Sequence, residues 1–334
     1  MRSARLDLAL DTGLLALPPE GSIAVYRPRA GDDLSVLPKD RVRVLTGFRP
    51  DADWFAARGY AVNGAGSGPP HAAAIVCLPR SREGAEALIA RAEAEVATGG
   101  PVAVDGQKSD GVDSILKDLR GRVPLSDALS KAHGKIAVFP AAGALSGWRA
   151  VARDIGGFAT LPGVFSADGI DRGSALLAQA LPDDLKGKVA DLGAGWGFLS
   201  RVILLRAGVR ELHLVEAEAD ALDCARANVG DPRAHFHWAD ATTWKAPLAM
   251  DTVVMNPPFH IGREADPALG AAFIGAAARI LHPQGVLWMV ANRHLPYEKT
   301  LAAAFRDVQE AGGDAGFRVI RASHPLRPRQ GARA

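Results

Sequence analysis

The sequence predicts an α/β protein of two tandem domains, each a doubly wound, mostly parallel sheet with an antiparallel edge. Three observations carry that expectation. Short apolar runs alternate with stretches of helical spacing, a glycine-rich turn follows one of those runs, and the first half of the chain repeats the plan of the second. Strands separated by helices of 10–15 residues are the pattern of βαβ units. A length of 334 residues accommodates about two domains of ordinary size.

Taken in order, the first half gives an apolar strand in AAAIVCLPRS (72–81) that stops at Pro79, then a helix, then the strand PVAVDGQ (101–107). A further helix and a late strand, KIAVFPA (135–141), follow. The boundary is expected near residue 155, in ARDIGGFATLPG, dividing the chain into 1–155 and 156–334. The second half begins with the strand GKVADLG (187–193), the helix FLSRVILLRAG (198–208), the strand ELHLVE (211–216) and the helix EADALDCARANVG (218–230). AHFHWAD and MDTVVMN are two more strands, and PALGAAFIGAAARILHPQG is a helix ended by Pro283 and Gly285. VLWMVAN is a strand, YEKTLAAAFRDV begins as helix, and FRVIRAS closes the sheet after the turn-rich AGGDAG. The last pair suits an antiparallel hairpin at one edge. DTVVMNPPFH aligns with AAAIVCLPRS, VLWMVAN with PVAVDGQ, and FRVIRAS with KIAVFPA, so two copies of one fold are expected.

Composition narrows the setting. Nearly half of the residues are hydrophobic, and 39 Lys+Arg against 37 Asp+Glu leave a formal charge of +2. That balance excludes a polycation but not a local basic face. Cys77 and Cys224 are the only cysteines, one in each half, so a disulfide framework or thiolate zinc site within a domain is excluded and a reducing cytoplasm is expected. Asp7 and Asp11 interrupt the apolar N-terminal run, and no stretch approaches a membrane span. No metal spacing is recognisable among His235, His237, His260, His282 and His294.

Two motifs carry chemistry. In VADLGAGWGFLS (189–200) a strand is expected to end in Asp191, and Gly193, Ala194, Gly195 and Gly197 form a turn into a helix. Such glycines let the backbone turn tightly and approach a ligand. A dinucleotide fingerprint counted from Gly193 would end on Phe198, which disfavours a nicotinamide enzyme. Glu216 is expected to end the next strand and Asp240 the one after it, and ligands of open α/β sheets bind beyond such ends. Glu216 is suited to accept ribose hydroxyls, and Asp240 an adenine amino group. The fourth strand ends in Asn256-Pro257-Pro258-Phe259. A conjugated amine is a poor nucleophile. The Asn256 side-chain oxygen and the Pro257 carbonyl can accept its two protons and aim its nitrogen, while the diproline fixes both acceptors. Phe259 can stack on a base, a contact worth about 1–3 kcal/mol.

The pattern [DE]-x-G-x-G-x-G resembles motif I of class I AdoMet-dependent methyltransferases, and NPPF resembles motif IV of those that act on planar amines. With LPGVFSADGIDRGSALL (161–177), NPPFHIG (256–262), ANRHLPYE (291–298) and GQKSDGVDS (106–114), the chain resembles the bacterial ribosomal RNA guanine-N2 methyltransferases of the small-subunit type. The resemblance is strongest over 161–298 and thin before residue 70. It implies two tandem Rossmann-like methyltransferase domains, a degenerate first copy that braces or binds RNA and a catalytic second copy. It further implies S-adenosyl-L-methionine at 191–197, Glu216, Asp240 and Asn256, a guanine at 256–259, and ribosomal RNA (16S rRNA above all) or a ribosomal subunit as partner. Methyl transfer is then direct and in line. Phe165, Asp171 and Gly173 would belong to a segment closing over the donor pocket, with Asp171 equally well a helix cap.

Alternatives remain open at this point. N-P-P-[YF] also serves an adenine amine in DNA or a protein glutamine amide, and a non-catalytic RNA-binding or assembly protein could keep the fold. The first copy lacks a counterpart of the glycine turn and has Leu78-Pro79-Arg80 in place of Asn-Pro-Pro. Arg41, Arg43 and Arg49, the group Lys108, Lys117, Arg120 and Arg122, and the tail with Arg318, Arg321, Arg327, Arg329 and Arg333 could touch phosphate, a solvated face being the simpler reading of each.

Overall fold

The computed structural model describes residues 2–62, 70–258, 260, 261, 264, 265 and 267–326. The chain forms two compact units, Met1–Ala152 with Leu161–Gly163, and Arg153–Thr160 with Val164–Ala334. Unit one contains α1 (Ser3–Asp11), β1 (Ile23–Tyr26), β2 (Val42–Leu45), α2 (Arg49–Ala56), β3 (Ala61–Val62), β4 (Ala73–Cys77) and α3 (Arg82–Glu95). It continues with β5 (Pro101–Gln107), α4 (Val112–Arg120), β6 (Leu129–Lys131) and β7 (Gly134–Pro140). Its sheet has the order β3-β2-β1-β4-β5-β7-β6, parallel as far as β5 and antiparallel from β5 to β7 and β7 to β6.

Unit two opens with the hairpin of β8 (Arg153–Asp154) and β9 (Ala159–Thr160), followed by α5 (Arg172–Ala180), β10 (Gly187–Leu192), α6 (Phe198–Leu204), β11 (Val209–Glu216) and α7 (Ala219–Asn228). Then come β12 (Ala234–Trp238), β13 (Met250–Met255), the short pair β14 (His260–Ile261) and β15 (Glu264–Ala265), and α8 (Pro267–Ile280). β16 (Leu281–Asn292), α9 (Glu298–Ala304), β17 (Phe305–Gly313) and β18 (Phe317–Pro325) complete it. The order β12-β11-β10-β13-β16-β18-β17 repeats the first sheet strand for strand, with the same two antiparallel steps at the end. The two α/β sheets are therefore copies of one topology. Central strands such as β4 are buried along their whole length, as parallel strands covered by helices on both faces must be.

Several boundaries differ from the sequence-based expectation, each for a local reason. β16 starts at Leu281, ahead of Pro283, because its register with β13 shifts between Met250 and Thr252 and the proline's missing donor falls in that irregularity. α6 ends at Leu204 rather than running to Gly208, and Arg206 Nη1 donates to the Val202 carbonyl at 2.7 Å. The turn expected over AGGDAG is shorter, since β17 runs through Gly313 and Asp314 Oδ1 accepts from the backbone of Gly316 and Phe317 at 2.8 and 2.9 Å. β17 is exposed after Phe305, so it lacks the apolar alternation that reveals a strand.

Unit one buries an ion cluster on β5. Asp105, at the end of β5 and fully buried, holds the guanidinium groups of Arg2 and Arg5 at the start of α1. Arg2 also meets Asp32, beyond β1, at 2.9 Å. Cys77 and Leu78, at the end of β4 and just after it, are buried, and by alignment and register they stand where unit two has Asn256 and Pro257.

At the other edge of the second sheet, His213 on β11 is paired in register with His235 on β12 and lies 3.0 Å, Nδ1 to Nε2, from His237. His235 and His237 stack against His213, Trp244 packs on His213 and His237, and Glu211 approaches His213 at 3.6 Å. Burial and the two neighbouring imidazoles push His237 down to about 4, and burial lowers His213 as well. A depressed folded-state value means that the neutral cluster's stabilisation is complete above the ordinary value near 6.5 and is lost as pH falls toward 4. Melting temperature should therefore fall through that window, and His237→Gln should flatten the fall. Equal slopes in the two proteins would contradict this account.

Candidate active site

The C-terminal ends of four adjacent parallel strands, β12-β11-β10-β13, gather Asp191, Gly193, Ala194, Gly195, Gly197, Glu216, Asp240 and Asn256. Gly193, Gly195 and Gly197 all have left-handed φ, 75°, 55° and 90°. The amides of Gly193 and Ala194 donate to the Val215 carbonyl at 2.8 and 3.2 Å, tying the turn to β11. The three glycines do different work. A Cβ on Gly197 would lie 3.0 Å from Val229 Cγ2 and 3.3 Å from Ala225 Cα, so this glycine lets α6 approach α7. A Cβ on Gly195 would meet nothing within 4 Å, so there the chain leaves room for something else.

The three acids have distinct environments. Asp191 is fully buried, Oδ2 accepts from Ser200 Oγ at 2.6 Å, and Oδ1 has no partner among the described residues. Burial pushes its carboxyl up to about 7, against the Ser200 hydrogen bond and with a smaller contribution from Glu216. Glu216 Oε2 accepts from Gly195 N and Oε1 from Glu218 N, both at 2.8 Å, leaving a lone pair on each oxygen for a further donor. Burial raises its pKa also. Asp240 stands two residues beyond β12. Its Oδ1 is engaged by the amide and hydroxyl of Thr242 at 2.8 and 2.6 Å, and Oδ2 takes no part in that turn.

Asn256 follows β13 directly, with Pro257 buried and Pro258 exposed. Its Nδ2 donates to Asp171 Oδ2 at 2.8 Å and to Ser174 Oγ at 2.9 Å. Asp171 is the N-cap of α5, the same Oδ2 accepting from Ser174 N at 2.8 Å. A side chain on Gly173 would stand 3.1 Å from that oxygen and 3.3 Å from Phe317. The link between Asp171 and Asn256 crosses 85 residues of sequence, and no local spacing announces it. Phe259 lies outside the described residues, as do Arg327, Arg329 and Arg333. Of His260 only the backbone is described, in β14.

The segment before α5 reaches the glycine turn, since Trp196 Nε1 donates to the Phe165 carbonyl at 3.0 Å. Asn228 Nδ2 bonds the carbonyls of Ala159 and Trp196, both at 2.8 Å, fixing β9 to α7 and to the same turn. Several arginines singled out in the sequence are structural. Arg41 donates to the carbonyls of Pro18, Pro19, Glu20 and Gly21, Arg43 to those of Asp40 and Val42, and Arg318 ion-pairs with Glu298 while donating to the Leu295 carbonyl. Among the described residues no three His, Cys, Asp or Glu side chains form a group able to hold a metal ion, and no helix is long and apolar enough to cross a membrane.

The family model for the methyltransferase small domain matches residues 156–321. Ribosomal RNA small subunit methyltransferase C of Sodalis glossinidius (strain morsitans) is 32% identical over 232 residues, spanning 68% of this chain and 66% of that protein. The protein of the same name from Salmonella choleraesuis (strain SC-B67) is 30% identical over 253 residues, spanning 74% of each. Among solved structures, the T. thermophilus 16S rRNA N2 G1207 methyltransferase in complex with AdoMet and guanosine superposes with a TM-score of 0.77 at 25% identity, covering 93% of this chain and 91% of that one. With both sheets in one strand order and the glycine turn, acids and Asn-Pro-Pro gathered at one set of strand ends, this chain belongs to the ribosomal RNA small subunit methyltransferase C family.

Proposed function

We propose that this protein methylates the exocyclic N2 amine of a guanine in 16S ribosomal RNA, using S-adenosyl-L-methionine, and that it does so in the cytoplasm. The observation that carries the reading is Asn256. Its amide nitrogen is turned inward onto Asp171 and Ser174, so its oxygen is left for an amine beyond the end of β13.

The residues at the neighbouring strand ends fit the donor. Asp191 has a buried oxygen without a partner, which an ammonium group would satisfy, and Gly195 leaves the space that a nucleoside needs. Glu216 would accept the ribose hydroxyls and Asp240 Oδ2 the adenine amino group, while Gly193, Ala194 and Gly197 shape the turn. When bound, AdoMet supplies a methyl group already activated on a sulfonium sulfur, so no strong base is required of the protein. Asn256 Oδ1 and the Pro257 carbonyl would accept the two protons of the guanine amine and orient its lone pair. Pro258 would stiffen that acceptor pair, and Phe259 would stack on the base.

The division of labour follows the absence of the glycine turn and of Asn-Pro-Pro from the first copy. Buried Cys77 and Leu78 stand where unit two has Asn256 and Pro257, so the region 1–155 would brace and bind RNA while 156–334 does the chemistry. Tritiated AdoMet offered to 16S RNA, to assembled small and large subunits, to plasmid DNA and to a release factor tests the reading. N2-methylguanine in the small-subunit RNA digest is expected. Label in N6-methyladenine or methylglutamine would sink it.

A further inference from the structure

We infer that Asp171 and Ser174 are positioning residues that set which way the Asn256 amide faces. The inference rests on the proposed role of Asn256 and adds how its acceptor is aimed. A carboxamide has a donor end and an acceptor end of nearly equal size, and only the acceptor end is useful to an amine that must give up its protons. Proline fixes the backbone after Asn256, but it does not choose between the two ends. Asp171 does. A carboxylate accepts and never donates when ionised, so the end of the amide 2.8 Å from its Oδ2 is the NH2. Ser174 Oγ takes the second proton of the same nitrogen at 2.9 Å. With both N–H groups bound, rotation of the amide would break two hydrogen bonds, one of them to a charged group, and Oδ1 is held facing away from α5.

The local sequence builds this grip economically. Asp171 Oδ2 accepts from Ser174 N as the cap of α5, and the same turn sets Ser174 Oγ beside it. Gly173 keeps the intervening position free of a side chain that would crowd that oxygen and Phe317. One N-terminal helix turn is thus both a cap and a clamp on β13's last acceptor.

Cap and clamp separate by substitution. Asp171→Ser keeps a good N-cap, but its hydroxyl is too short to reach Asn256. It should leave melting temperature and AdoMet affinity near wild type while lowering kcat by about tenfold or more, the cost of a misdirected contact. Asp171→Asn keeps an oxygen able to serve both Ser174 N and Asn256, and should restore kcat to within about threefold. Adding Asp171→Ser to Asn256→Ala should cost nothing beyond Asn256→Ala alone. Normal kcat in Asp171→Ser, or a fully additive loss in the double variant, would overturn the inference. If the wild-type protein methylates no guanine, the functional reading fails instead. The clamp is then decided in the free protein by NMR exchange of the Asn256 side-chain amide protons, identified by their absence in Asn256→Ala. Asp171→Ser should accelerate that exchange about tenfold or more, and unchanged exchange overturns the clamp.

Discussion

Asp105→Ala should destabilise the first unit by about 3–5 kcal/mol, more than any other single substitution considered. The carboxylate is fully buried and receives two guanidinium groups, from Arg5, itself fully buried, and from Arg2, only 4% exposed. The cluster as a whole need not be strongly stabilising, because desolvating three ions offsets much of their attraction. Removing its only buried anion is another matter. It leaves two buried cations, with Asp32 the one remaining carboxylate on Arg2 among the described residues and the carbonyls of Lys131 and Ala132, both at 3.3 Å, on Arg5. Asp32 offsets the Arg2 charge alone, and carbonyls cannot neutralise the desolvated charge of Arg5. Amide hydrogen exchange on the intact chain reads the units separately, and exchange by unfolding in β4 and β5 should accelerate by roughly 10²–10⁴-fold while β10 and β13 stay unchanged. The counter-experiment replaces Arg2, Arg5 and Asp105 together by apolar residues of similar volume, which should recover most of the loss. If Asp105→Ala alone leaves exchange in β4 and β5 unaltered, the cluster is not what holds α1 to this sheet.

That cluster also marks where sequence reading stopped. In β4, β5 and β7 the repeat was legible, because buried strands are continuous apolar runs and their counterparts in the second unit sit beside recognisable chemistry, whereas β6, three largely exposed residues, gave no such run. β1, β2 and β3 have four, four and two residues, too short for periodicity to stand out, and no glycine turn follows β1 to flag it. Arg2 and Arg5 precede or open a helix and read as an ordinary basic start until Asp105, a hundred residues on, is found beneath them. At the candidate site the chemistry-bearing side chains could be picked out because motif residues are local: Asp191 with its glycines, Glu216 and Asp240 near successive strand ends, Asn256 before its prolines. What holds those side chains was not legible. Ser200 on Asp191, Gly195 N on Glu216, and Asp171 with Ser174 on Asn256 are tertiary contacts, and only the capping potential of Asp171 has a local signature. Gly197 shows the opposite error of emphasis, since a glycine grouped with the ligand turn is needed mainly for α6 to meet α7.

Asn256→Ala should leave AdoMet affinity within about an order of magnitude of wild type and lower turnover by roughly 10²-fold or more, equivalent to about 2.7 kcal/mol of transition-state stabilisation. The two parts of the expectation have separate causes. The donor's recognition is assigned to Asp191, Glu216, Asp240 and the glycine turn, none of which is hydrogen-bonded to Asn256, so truncation should barely disturb it. The acceptor amine, by contrast, loses the oxygen that draws off its proton as the nitrogen becomes cationic, an interaction that strengthens along the reaction and therefore appears in kcat rather than in binding. A structural side effect is small by comparison. Truncation removes two bonds to Asp171 and Ser174, yet Asp171 keeps its cap on α5 through Ser174 N. Single-turnover methylation of small-subunit RNA beside a titration with AdoMet separates the two. Loss of AdoMet binding would move Asn256 into the donor site, and near-normal turnover would remove it from the acceptor site.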